Sequence, residues 1–287
     1  MRVLITGAAG QLGRDLLAVL GGDAIALPHG ELDVADPDAV SAAIGVFTPD
    51  AIVNAGAWTD VDGCEADPER AVLVNGTGAG NLARAAGDAL VVQISTDYVF
   101  DGGAGRAYVE DDPVNPLSEY GRSKLEGERQ VARDARRWAV VRTAWLYGAG
   151  TRNFVAAILR ASRSRDRLQV VDDQIGSPTS TPDLARALVA LIERGVTGLL
   201  HGVNSGECSR WEFARAAFTA AGLDPDRIDA VPTAAMPRPA VRPAYAPLDG
   251  PAWRAAGLAV LRPWQEALAD VVPGVLAALD IEAARSP

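Results

Sequence analysis

The chain has one lysine, Lys124, among 27 basic residues; every other one is an arginine. It also has only two cysteines, two histidines and two methionines in 287 residues. Cys64 and Cys208 lie far apart with no C-x-x-C or metal-type spacing, and His29 and His201 are equally isolated. That scarcity argues against a disulfide framework and a structural zinc, and no metal ligands are expected. Positive charge is short overall: 27 Lys+Arg against 37 Asp+Glu gives −10, which argues against nucleic acid and acidic membranes as partners. No apolar run reaches membrane-spanning length, and the chain opens on the strand-like Val3-Leu4-Ile5-Thr6 rather than on a charged region with an apolar stretch behind it. A cytoplasmic protein is therefore expected. Low-complexity tracts are missing too, and 48% hydrophobic with 22% charged residues suits a folded protein long enough to bury a site.

What is present is a regular alternation. Short β-rich runs at Val3 to Thr6, Ala24 to Leu27, Ala51 to Asn54, Leu90 to Ser95 and Ala139 to Arg142 are separated by longer Ala/Leu-patterned stretches, the signature of βαβ units. Asp36-Pro37, Asp67-Pro68 and Thr181-Pro182 mark helix starts, and Ser209-Arg210-Trp211-Glu212 has capping-box spacing. The proline-rich stretch from Ala230 to Pro251 excludes long helices and predicts an extended or looped segment lying over another surface. The expected architecture is α/β: a doubly wound, Rossmann-like parallel sheet with a smaller C-terminal substrate-binding lobe. Residues 1–150 would form the dinucleotide-binding part, rejoined by a strand near 199–203, and residues 151–287 would form mainly the second lobe.

Directly after the first strand comes Gly7-Ala8-Ala9-Gly10-Gln11-Leu12-Gly13, followed by a helical pattern from Arg14. In strand-loop-helix context these glycines permit a tight turn and close backbone approach, while the helix N-terminus offers free N–H groups to a pyrophosphate. At the second strand's tip, Leu27-Pro28-His29-Gly30 lacks the acid that NAD-selective proteins place on the adenosine ribose. NADPH is the expected cofactor, with NADH also allowed. Asp33 is placed to touch the adenine ring or to cap a loop.

The lone lysine stands four residues after Tyr120, so on a helix both would project from one face. A neighbouring ammonium favours phenolate, so Lys124 is expected to lower the Tyr120 pKa and make it a general acid or base. Ser95-Thr96-Asp97 ends a buried strand at its carboxyl edge, where open parallel sheets bind ligands. Thr96 there is placed to polarise a substrate carbonyl, and Asp97 to contact substrate.

At these residues the chain resembles the extended short-chain dehydrogenase/reductase superfamily, and more narrowly the dTDP-4-dehydrorhamnose reductases. The resemblance extends over Asn54 to Asp62, Ser95 to Gly102, Tyr120 to Lys124, Arg142 to Gly148, Asn153-Phe154, Asp173 to Thr179 and Arg242 to Asp249. It implies a catalytic set of Thr96, Tyr120 and Lys124. It implies cofactor contacts from Gly7, Gly10, Gln11, Leu12, Gly13, Asp33, Val34, Ala55, Ala57, Trp58 and Thr59, together with Tyr120 and Lys124. It implies substrate contacts from Thr96, Asp97, Trp145 and Arg242, with Trp145 packed on the sugar. The implied reaction is reduction of the C4 keto group of dTDP-4-dehydro-β-L-rhamnose. The alternatives are 4-ketoreduction of another dTDP-deoxysugar, a sugar-nucleotide epimerase, and a non-catalytic regulatory homologue. The implied partner is thus a dTDP-keto sugar, and a homodimer is allowed. Two positions depart from the family pattern: Trp58 replaces a smaller aromatic or histidine, and Ala246 replaces a serine.

Overall fold

Runs such as Val3–Thr6, Ala51–Asn54 and Leu90–Thr96 are buried along their whole length, as strands covered on both faces must be. The computed structural model, which describes residues 1–285, places them in a six-stranded parallel sheet. Its strands are β1 (Val3–Thr6), β2 (Ala24–Leu27), β3 (Ala51–Asn54), β4 (Leu90–Thr96), β5 (Arg137–Thr143) and β6 (Gly198–His201), in the order β6-β5-β4-β3-β1-β2. All five strands expected in the first half are present, and β6 joins them by pairing with β5, Leu200 opposite Val141.

The main helices are α1 (Gln11–Leu20), α2 (Pro37–Phe47), α3 (Val61–Ala66), α4 (Gly78–Ala85), α5 (Glu119–Asp134), α6 (Phe154–Ala161), α7 (Thr181–Glu193), α8 (Arg210–Ala220) and α9 (Trp264–Arg285). Successive strand residues face opposite ways. Val3 and Ile5 therefore meet Leu12 and Leu16 of α1 and Leu184 and Leu188 of α7. Leu4 and Ile52 meet Val40 and Ile44 of α2, Leu82 of α4 and Val131 of α5. The sheet thus draws both β6 and the covering helix α7 from beyond residue 150.

Helix starts follow local chemistry. Asp36 accepts from the backbone N–H groups of Asp38 and Ala39, and Asp67 accepts from that of Arg70. Ser209 and Glu212 form a reciprocal capping box at 3.0 and 2.7 Å. The cap of α7 is Ser180, one residue earlier than the Thr181-Pro182 pair suggests, because proline is tolerated anywhere in the first turn.

A second apolar core, built from α6, α8, α9 and the Leu168–Val171 strand, lies beside the sheet. Phe213 sits at its centre, with the rings of Tyr147, Phe154 and Trp264 at 5.2, 5.6 and 5.6 Å. The segment from Ala230 to Pro251 is mostly irregular, with a 3-10 turn at Thr233–Ala235 and short extended stretches. Its backbone pairs with Tyr108 and Ile175, and Arg242 grips Asp62 of α3 through two hydrogen bonds of 2.8 and 2.9 Å. Among the described residues no helix is long and apolar enough to cross a membrane.

One charged contact ties α5 to the sheet. Arg142 of β5 donates to Glu128 of α5 at 2.9 and 2.7 Å, and Ser95 of β4 donates to the same carboxylate at 2.5 Å. Both charged side chains are at least nine-tenths buried. Removing one member of such a pair leaves the other charge desolvated and unopposed, which costs far more than replacing both. Glu128→Gln is expected to lose about 3–5 kcal/mol of stability in urea unfolding, and the double variant Glu128→Leu/Arg142→Leu to recover most of that loss. A single variant within about 1 kcal/mol of wild type would contradict this view of the pair.

Candidate active site

The glycine loop is held tight by backbone rather than by side chains. Gly7 adopts φ +65°, and a Cβ there would stand 2.6 Å from the Gly56 backbone. A Cβ on Gly13 would stand 2.4 Å from the Gly7 carbonyl oxygen. Gly10 caps α1 without any side-chain hydrogen bond, and the first turn of α1 carries no acid. Its free N–H groups and positive dipole end are therefore left for an anion. The strand ends beside this loop are aligned by a buried ladder in which Thr6 donates to Asn54 at 2.6 Å and Asn54 donates to Gln93 at 2.7 Å.

From this loop a cavity of ≈ 370 Å³ runs along the carboxyl edge of the sheet to α5. Its wall brings together Gly10, Gln11 and Leu12 from the loop, Ala55, Ala57 and Thr59 after β3, Thr96 and Asp97 after β4, Tyr120 and Lys124 from α5, and Trp145 after β5. A second cavity of ≈ 730 Å³ shares Gly10, Gln11 and Thr59 with it. The two form a trough from the phosphate loop to the Tyr120–Lys124 pair. Thr143, buried in the trough wall, has a hydroxyl with no hydrogen-bond partner among the described residues. Close glycine packing, unsatisfied helix N–H groups and an orphan hydroxyl at the far end all fit an elongated dinucleotide with an anionic middle.

Lys124 is 3% exposed, and no hydrogen bond or ion pair to its ammonium exists among the described residues. Burial lowers its pKa to about 8, opposed by the negative charge of Glu128 one helical turn away. Tyr120 lies on the cavity side of the same helix, its ring 5.5 Å from that of Tyr98 in an edge-on arrangement. The expected lowering of the Tyr120 pKa is not found. Burial pushes it up, Asp97 adds to the rise, and a hydrogen bond with Thr96 only partly offsets them. Desolvation of the phenolate dominates, so Tyr120 is held protonated. Thr96 donates to Asp97 at 2.9 Å, and burial raises Asp97 to about 6.

Of the other expected site residues, some are engaged outside the trough and some are tied down within its wall. Asp33 is exposed and accepts from the Ala35 N–H, while Val34 is buried against Gly78. The Trp58 indole turns away from the trough to lie under the Arg70 guanidinium at 4.6 Å. The Gln11 amide is joined to the 148–153 loop, donating to the Arg152 carbonyl and accepting from Asn153. Arg242 lies outside the trough wall, on Asp62. Trp145 adopts φ +46°, and its indole is sandwiched between Gly176 and Arg210, whose guanidinium lies 3.5 Å from the ring centroid. The indole expected to pack on a sugar thus carries a cation on one face.

Arg210 is one of several residues that motif reading does not find, because its only sequence signal is the capping box around it. Asn75 is another. It exchanges hydrogen bonds with the Trp58 backbone and donates to Ser123, which itself donates to the Tyr120 carbonyl, so it fastens the loop after β3 to α5. It lies in a π-helical stretch, Val72–Thr77, an irregularity often found at functional sites. Glu128, at i+4 from Lys124, carried a readable spacing signal.

Comparison with known proteins shows the family of the chain. The family described as RmlD substrate binding domain matches residues 1–276. The chain is 44% identical over 285 residues to a dTDP-4-dehydrorhamnose reductase of Streptomyces griseus, covering 96% of this chain and 94% of that one. It is 42% identical to a dTDP-4-keto-6-deoxy-D-glucose reductase of Streptomyces niveus, covering 95% and 96%. Among solved structures it resembles a dTDP-4-dehydrorhamnose reductase of Bacillus anthracis in complex with NADP, with a TM-score of 0.91, 35% identity and coverage of 94% and 98%. Matched over nearly its whole length, the chain belongs to the RmlD substrate binding domain family.

Proposed function

We propose that this protein reduces the C4 keto group of dTDP-4-dehydro-β-L-rhamnose to dTDP-L-rhamnose with NADPH. The observation that carries the reading is the convergence, at one end of the trough, of a protonated phenol, an unpaired buried ammonium and a strand-end hydroxyl. NADPH, when bound, supplies the hydride. The chain's own part is the proton. Tyr120, kept neutral by burial, donates its proton to the carbonyl oxygen as negative charge develops there. Thr96, its single hydroxyl proton turned from Asp97 to the substrate, donates a hydrogen bond to the same oxygen, and the Lys124 ammonium stabilises the phenolate left behind and takes hydroxyl acceptors of the bound dinucleotide. Gly10, Gln11, Leu12, Ala55, Ala57 and Thr59 would line the dinucleotide, and Thr143 would satisfy its hydroxyl against it. The absence of an acid at the β2 tip and the NADP bound by the Bacillus anthracis relative both favour NADPH.

A second reading, 4-ketoreduction of a different dTDP-6-deoxysugar, is favoured by the comparable identity to the Streptomyces niveus reductase. The first test is loss of reduced-nicotinamide absorbance with each keto sugar, NADPH and NADH assayed in parallel. Turnover of the rhamnose precursor with NADPH is expected. Activity with the glucose-derived sugar alone would replace the first reading with the second. Tyr120→Phe is expected to lower kcat by at least about a hundredfold while NADPH still binds, because only the proton donor is removed.

Lys124→Arg separates charge from shape. A planar guanidinium does not reproduce the compact contacts of an ammonium in a buried site. The variant should keep its fold by circular dichroism yet lose about a hundredfold in kcat/KM. Wild-type turnover would remove Lys124 from the mechanism.

A further inference from the structure

Arg210 is a cation held in place with its charge unspent. Its guanidinium lies 3.5 Å from the centroid of Trp145 and 5.2 Å from that of Phe154, and no carboxylate forms an ion pair with it among the described residues. Aromatic stacking orients a guanidinium but leaves its in-plane N–H donors open. Burial disfavours its charge, and the nearby Tyr98 and Asp97 offset this only in part, so the position stays costly unless a ligand anion completes it. Arg210 also lines two cavities at once. One is the trough that contains Thr96 and Tyr120; the other, of ≈ 430 Å³, holds Arg238, Arg242, Gln174 and Phe154. Arg238 and Arg242 share the single carboxylate of Asp62. Three arginines with one paired acid make this second cavity locally positive in a chain of net charge −10.

We propose that Arg210 is a specificity-determining residue that grips the diphosphate of the nucleotide-sugar substrate, fixing the sugar in the trough and the nucleoside in the adjoining cavity. The inference rests on the reading of the substrate as a nucleotide sugar. A diester diphosphate carries two negative charges and offers a guanidinium paired acceptor oxygens, which a neutral sugar does not. Trp145 then acts through Arg210, as the platform that aims the guanidinium. The left-handed backbone at Trp145 and the bare Cα of Gly176, where a Cβ would lie 2.5 Å from the indole, hold that platform in place.

The test is calorimetric binding of dTDP to the NADP-loaded protein, for wild type, Arg210→Gln and Arg210→Met. Both variants are expected to weaken dTDP at least about tenfold, to raise KM for the nucleotide sugar similarly and to leave kcat within about threefold, with NADPH affinity unchanged. Met keeps the apolar contact with the indole, so wild-type dTDP affinity in Arg210→Met would show a packing role and overturn the proposal. Loss of NADPH affinity in step with dTDP affinity would overturn it too. The substrate reading fails separately: a wild-type protein that binds dTDP through Arg210 but reduces neither keto sugar keeps this inference and removes the proposed reaction.

Discussion

The site depends on the buried ion pair between Glu128 and Arg142. Helix α5 carries both Tyr120 and Lys124, whereas Thr96 and Thr143 stand at the ends of β4 and β5. Nothing in helix propensity fixes how far such a helix slides along a sheet, since apolar contacts such as Val131 tolerate small shifts. The bidentate contact from Arg142, with Ser95 donating to the same carboxylate, is directional and sets that register. Asn75 adds a second fixed point by joining Ser123 to the loop after β3. The polar groups of the trough thus come from three elements whose relative placement is held by hydrogen bonds as well as by packing.

The same carboxylate has an electrostatic consequence. Glu128 is the charge that opposes desolvation of Lys124, yet Arg142 already neutralises it. The ammonium is left nearly isolated, with a pKa close to the working range and an open aspect toward the trough. Tyr120 feels the opposite effect from the same burial: its neutral form is favoured. A proton donor that stays protonated and a cation that lacks a partner suit a site that gives up a proton only when charge develops on a substrate oxygen.

Much of the fold was legible because it rests on short-range rules. Fully apolar strands, capping residues followed by proline, and a glycine triplet between strand and helix each act within a few residues, and β1 to β5 appear where those rules place them. The Tyr120–Lys124 spacing was legible for the same reason. What could not be read rests on contacts far apart in sequence. Arg242 meets Asp62 across 180 positions, so a residue that looked free to hold substrate is already engaged. Trp58 turns toward Arg70, and Arg210 swings onto Trp145, although neither event has a local pattern. The direction of the Tyr120 pKa is not legible either, because helical spacing reports a neighbouring cation but neither the depth of burial nor the approach of Asp97 that raise it.

A bound dinucleotide would complete the buried ammonium of Lys124, which has no partner among the described residues. Hydroxyl acceptors favour the charged form, so binding should raise a pKa that stands at about 8 and draw in a proton at about pH 8.5, where the free side chain is mostly neutral. Calorimetry of NADPH binding in buffers of different ionisation enthalpy measures that uptake. Uptake of a sizeable fraction of a proton at about pH 8.5, fading toward about pH 6.5 and missing in Lys124→Met, is the expected result. NADPH binding without proton uptake by the wild-type protein at the higher pH would contradict it.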